Sequence, residues 1–170
     1  LKPATLIVKK VVINDNGGSA KAVDFSFNYT PGGSSTQFVK DGIDSNGLNT
    51  LLLNAETYSV TEDQANEDGY VTTYDNCTNI TIANGETKTC TITNDDQQSY
   101  VIVDKSVEDN SAGGTAQPND FNLTVNGNAA LDGVKVPVNP GTHTVGETTL
   151  PGYQASSWGG DCSKDAQVTV

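Results

Sequence analysis

Residues near the start of this 170-residue chain return about 96 positions later, and the correspondence is spread along most of its length. Lys9-Lys10-Val11-Val12-Ile13-Asn14-Asp15-Asn16-Gly17-Gly18 comes back as Lys105-Ser106-Val107-Glu108-Asp109-Asn110, with Gly113-Gly114 behind it. Asp24-Phe25-Ser26-Phe27 comes back as Asp120-Phe121-Asn122-Leu123. Thr57-Tyr58-Ser59-Val60-Thr61-Glu62 followed by Gly69-Tyr70 matches Thr142-His143-Thr144-Val145-Gly146-Glu147 followed by Gly152-Tyr153, and Cys77 matches Cys162. A duplication of this size divides the chain into two small domains with separate cores and excludes one large enzyme core. Gln97-Gln98, just after the acidic Asn94-Asp95-Asp96, is the natural boundary, giving domains at 1–97 and 98–170 joined stiffly enough to predict a rod.

The second copy is shorter than the first. Gln167-Val168-Thr169-Val170 aligns with Asn79-Ile80-Thr81-Ile82, so domain two is expected to lack its last strand in this chain. The strand is expected to follow in a longer chain, with donation by another subunit as the alternative route.

Between the anchors the pattern alternates with period two, is rich in Val, Ile and Thr, and is punctuated by Gly, Asn and Asp. No stretch sustains a 3.6-residue apolar period over three turns, so the expected class is all-β, two tandem β-sandwiches with no substantial helix. Nine basic residues, all Lys, stand against 21 acidic ones for a net charge of −12; without a basic patch, nucleic acid is not an expected partner. The longest apolar runs, Leu6–Val8 and Leu51–Leu53, are far below the roughly 20 residues of a spanning helix. The Thr/Asn/Gly/Ser-rich composition and the start at Leu1 suggest a processed piece of a secreted protein.

Alternation also shows which polar groups face inward. In domain two Val101, Val103, Lys105 and Val107 share a face, which places Lys105 among valines. Its equivalent under the 96-residue offset is Lys9, sharing a face with Ile7, Val11 and Ile13, although this first strand is apolar on both sides. Tyr58, Val60 and Glu62 share a face, repeated by His143, Val145 and Glu147; Cys90, Ile92 and Asn94 share another. A Lys, a Glu and an Asn therefore point into one core, where a lone charge costs several kcal/mol unless it is paired or chemically used.

A Lys on the first strand, a Glu in Thr57–Glu62 ahead of Gly69-Tyr70, and an Asn closing Thr91-Ile92-Thr93-Asn94 resemble the collagen-adhesin B-type domains, also called SpaA-like or prealbumin-like, of bacterial surface adhesins and pilins. The resemblance spans the first copy and the second up to its early end. It implies two immunoglobulin-like or prealbumin-like sandwiches in an extracellular, cell-surface or cell-wall setting, with neighbouring repeats or subunits of one fibre as partners. It also implies an intramolecular isopeptide bond, in which the amine of Lys9 attacks the Asn94 side-chain carbonyl, ammonia leaves, and Glu62 shuttles protons. Glu147 would play the same part beside Lys105, whose Asn partner is missing or supplied in trans. Burial disfavours the charged forms of both an amine and a carboxyl, giving a neutral nucleophile beside a protonated acid. The same residues also fit a buried Lys–Glu ion pair with Asn hydrogen-bonded alongside.

Cysteines set the sequence apart from that pattern. Cys77 and Cys90 flank a strand–turn–strand segment around Asn84-Gly85, a hairpin signal, with Ile80, Ile82, Cys90 and Ile92 expected on one face across a longer loop. In a secreted chain the two are expected to form a disulfide, free buried thiols being the alternative, and Cys162 to stay free. The three cysteines and single His do not form a zinc set. Asn14-Asp15-Asn16, Asp41-Gly42-Ile43-Asp44-Ser45-Asn46 and Glu67-Asp68 are rich in oxygen ligands, but none has EF-hand spacing and turn chemistry explains the same residues. No metal or cofactor is expected, calcium being the one ion whose ligand chemistry these loops carry. His143 has no nucleophile fixed beside it, and no hydrolytic or phosphate-binding motif occurs, so a turnover enzyme is not expected. Tyr153 with Trp158 leaves a second class open, an adhesive module that binds a glycan or host protein through its loops.

Overall fold

A ten-residue run such as Ala4–Ile13, with six β-branched residues and no Gly or Pro, has little choice but an extended strand, and that strand organises the first domain. The computed structural model describes all residues except 1, 41, 43–45 and 109–111. The chain folds as two separate compact units, residues 1–97 and 98–170.

Domain one contains β1 (Ala4–Ile13), β2 (Ser26–Thr30), β3 (Thr36–Gln37), β4 (Gly47–Leu53), β5 (Glu56–Glu62), β6 (Tyr70–Asp75), β7 (Ile80–Ile82) and β8 (Thr87–Asp96). They form two four-stranded sheets, ordered β4-β1-β8-β6 and β3-β2-β5-β7. In the first sheet β1 runs antiparallel to β4 and parallel to β8, so the first and last strands lie side by side. The core between the sheets is filled by Leu6, Val8, Phe27, Phe38, Ile82 and Ile92, all essentially without exposed surface. Domain two contains β9 (Ser99–Ile102), β10 (Leu123–Val125), β11 (Asn128–Ala130), β12 (Lys135–Val138), β13 (Thr142–Glu147) and β14 (Gln167–Thr169), in sheets ordered β12-β9 and β11-β10-β13-β14. β10 and β11 meet at Asn126-Gly127, both at positive φ, as a two-residue turn of the hairpin type requires. Among the described residues, helix is confined to two single 3₁₀ turns, Ala22–Asp24 and Pro118–Asp120, at equivalent points of the two copies.

The duplication is visible as repeated contacts. Ala20 N–H donates to the Tyr70 hydroxyl at 3.1 Å, and Ala116 N–H to the Tyr153 hydroxyl at 3.0 Å. Each tyrosine meets a Phe ring edge-on, Phe25 at 5.8 Å and Phe121 at 5.4 Å. Each also presses on a glycine: a Cβ on Gly18 would lie 2.3 Å from the Tyr70 hydroxyl, and one on Gly114 2.4 Å from that of Tyr153. That close approach explains why the second residue of each Gly-Gly pair carries no side chain.

The Asn84-Gly85 turn differs from the hairpin expected of it. β7 pairs with β5 in one sheet while β8 pairs with β1 and β6 in the other, so the turn carries the chain across the sandwich rather than within a ladder. Ile80, Ile82, Cys90 and Ile92 are nonetheless all buried, because the two strands face the same core from opposite sheets.

Candidate functional site

Three strands of domain one bring three polar side chains to one point inside the apolar core. β1 supplies Lys10, the end of β5 supplies Glu62, and β8 supplies Asn94; Lys10 and Asn94 have no exposed surface and the Glu62 side chain has none either. The Lys10 ammonium contacts both Glu62 Oε2 and Asn94 Oδ1. Asn94 Nδ2 donates to Glu62 Oε1 at 2.7 Å, and the Thr72 hydroxyl of β6 donates to the same oxygen at 3.3 Å. The carboxylate thus spans the amine and the amide nitrogen, one oxygen to each. The Tyr74 hydroxyl accepts the Glu62 main-chain N–H at 3.2 Å and pins the end of β5.

The surroundings of the amine are aromatic. Lys10 Nζ lies 4.1 Å from the Phe25 ring centre and 5.3 Å from that of Phe38, which favours the charged form. Desolvation is the larger effect: burial drags the Lys10 amine down to about 8 from its ordinary 10.5, against the opposing pull of Glu62. A nucleophilic neutral amine is therefore accessible within a pH unit or so of neutrality.

The lysine is Lys10 and not Lys9, whose side chain is exposed. Along β1 the buried positions are Ala4, Leu6, Val8, Lys10 and Val12. The first strands are therefore related by an offset of 95 residues, Leu6-Val8-Lys10-Val12 matching Val101-Val103-Lys105-Val107, while Phe25 and Phe121 keep an offset of 96. One extra residue in the loop between them accounts for the difference. Thr72, Phe25 and Phe38 escaped the sequence reading because each touches the site from a strand or turn with no unusual pattern of its own.

Among the described residues, domain two repeats the pair without the third member. Lys105 Nζ lies 2.9 Å and 3.1 Å from the two Glu147 oxygens and 4.5 Å from the Phe121 ring centre. Its side chain retains 16% of its exposure and that of Glu147 11%, against none for the pair in domain one.

Cys77 and Cys90 are joined in a disulfide across a Cα separation of 4.6 Å, and Cys162 is a free thiol. Of the oxygen-rich loops, Asp15 joins Asp95 and Asp96 in a carboxylate group. Asp96 there accepts main-chain N–H from Asp15 at 2.9 Å, Asn16 at 3.0 Å and Gly18 at 2.6 Å. Burial would raise its carboxyl, but those N–H groups outweigh it and hold Asp96 below the usual range. Most of the stretch 41–46 lies outside the described residues. Tyr153 and Trp158 do not stand free as a stacking platform, since both pack against the core of domain two. His143 spans Asn126 and the carbonyl of Asn139.

The sequence of these two units, each with a Lys–Glu pair and the first with parallel first and last strands, is matched by the profile of the prealbumin-like fold domain of the SpaA type over residues 2–93 and again over 96–170. The chain belongs to this family. Both copies of the prealbumin-like domain lie within it, as the sequence resemblance implied. Among solved structures, the Bacillus anthracis TIE protein is similar at 20% identity with a TM-score of 0.49, over 89% of this chain and 29% of that one. No curated protein sequence matches the chain. Among the described residues, no helix is long and apolar enough to cross a membrane.

Proposed function

We propose that the two prealbumin-like domains are structural segments in the shaft of a bacterial surface adhesin or pilus-like fibre, and that domain one is locked by an isopeptide bond between Lys10 and Asn94. The observation that carries this is the position of Glu62, with one oxygen at the amine and the other at the amide nitrogen inside a fully buried core. The neutral Lys10 amine attacks the Asn94 Cγ, Glu62 takes the proton lost by the amine and returns it to the departing nitrogen, and ammonia leaves as the new amide forms. The protein turns over nothing, because nucleophile and electrophile are both consumed. A net charge of −12 keeps such shafts apart in solution, and neighbouring repeats or subunits are the partners.

Intact mass under denaturing, reducing conditions tests the bond. The parent chain is expected to be lighter than its sequence by one ammonia. Lys10→Ala, Asn94→Ala and Glu62→Ala should each restore the full mass, whereas Lys9→Ala should not. A parent at full mass after folding would leave a buried ion pair and remove the covalent reading. A saturable, specific ligand found on a glycan or host-protein array would instead favour the adhesive-module reading.

A further inference from the structure

We infer that Thr72 is the positioning residue of Glu62, holding one carboxylate oxygen at the Asn94 amide so that the other is left for the Lys10 amine. This deepens the proposed Lys10–Asn94 bond and rests on it. Thr72 is buried on β6, and the directions of its two side-chain hydrogen bonds are fixed. The Asn66 main-chain N–H donates to Thr72 Oγ1 at 3.0 Å, which leaves the single hydroxyl hydrogen for Glu62 Oε1 at 3.3 Å. Asn66 closes the arrangement from its other end, its Oδ1 accepting the Thr72 main-chain N–H at 2.9 Å. It does so at a φ of 57°, a left-handed conformation that Asn tolerates better than most residues.

Glu62 Oε1 thus accepts from two donors, the Thr72 hydroxyl and Asn94 Nδ2, which occupies both of its lone pairs. A proton taken up by Glu62 then belongs on Oε2, the oxygen at Lys10. As the Nζ–Cγ bond forms, Oε2 takes the proton that Nζ sheds. As the Cγ–Nδ2 bond breaks, Glu62 returns a proton to Nδ2, ammonia leaves, and the carboxylate is restored. Thr72 gives up no proton in this sequence; it keeps the carboxylate from turning both oxygens to the amine. Domain two shows a carboxylate without that hold. Gly69-Tyr70-Val71-Thr72 corresponds to Gly152-Tyr153-Gln154-Ala155, so a methyl group stands in place of Thr72, and nothing among the described residues stands in place of Asn94. There both Glu147 oxygens close on Lys105 Nζ, at 2.9 Å and 3.1 Å.

The test follows the chemical step in the full chain. Protein is made in a short cell-free pulse, translation is stopped, and intact mass under denaturing, reducing conditions records the loss of one ammonia with time. Thr72→Val keeps the shape of the side chain and removes the hydroxyl; Thr72→Ser keeps the hydroxyl and removes the methyl. The Val chain is expected to lose ammonia at least about tenfold more slowly than the parent, and the Ser chain to stay within about threefold of it. Slow but complete loss in the Val chain would also show that it folds, because Asn94 meets Lys10 only in the folded domain. A Val chain as fast as the parent would overturn the assignment. So would a slow Ser chain, which would make the contribution of Thr72 one of packing, and this arm does not depend on the Val chain folding. A parent that never loses ammonia removes the bond itself and this inference with it, whereas a parent that reacts alongside an equally fast Val chain removes the role of Thr72 alone.

Discussion

Lys9 and Lys10 illustrate how a single residue can be misassigned when its element gives no directional cue. β1 is apolar on both sides, so alternation cannot say which lysine is inside. The cue lay in the other copy, where Val-x-Val-x-Lys-x-Val fits Leu6-x-Val8-x-Lys10-x-Val12 better than Thr5-x-Ile7-x-Lys9-x-Val11. Glu62 and Asn94 were legible because their strands are clearly two-faced. The depressed pKa of Lys10 gives a pH signature, read most simply in Asn94→Ala, where no amide can form. Its folded value of about 8 lies below the unfolded 10.5, so between these pH values the unfolded chain binds more protons. The cost of burying the ammonium is therefore constant below pH 8 and is relieved as pH rises toward 10.5. Urea titrations should show domain one of Asn94→Ala gaining about 3 kcal/mol across that window, a gain abolished by adding Lys10→Met. A flat profile would show that the amine is not desolvated.

At the level of elements, period-two patterning located the strands but not the sheet each joins. The Asn84-Gly85 signal was real as a turn, yet which ladder a strand enters depends on distant partners that no local pattern encodes. Partnership also sets strand length. β1 runs ten residues with neighbours on both edges, whereas β9 runs four and, among the described residues, pairs only with β12. The Cys77–Cys90 disulfide ties β8 to the segment before β7 across a sequence separation of 13. Replacing both cysteines by Ser should lower the stability of domain one by about 3 kcal/mol, measured as the shift in its denaturant midpoint. A loss near zero would mean that the packing of β8 alone restrains the chain.

For the whole molecule, the two copies should not melt together. Domain one has sixteen buried apolar residues in its core among the described residues and domain two eight, and an open groove adjoins the smaller core. Calorimetry is expected to give two transitions, with Trp158 emission following the lower one. A single transition at which both signals coincide would show that the domains stabilise each other. The parallel register of β1 with β8, from Thr5↔Thr87 to Ile13↔Asp95, has a mechanical meaning. Tension enters domain one at the start of β1 and leaves at the end of β8, which lie at opposite poles of two strands running the same way. In Asn94→Ala, which cannot form the proposed bond, a pull therefore slides one strand along the other and loads the whole row of ladder hydrogen bonds together, whereas the Lys10–Asn94 bond would carry the load across the two strands directly.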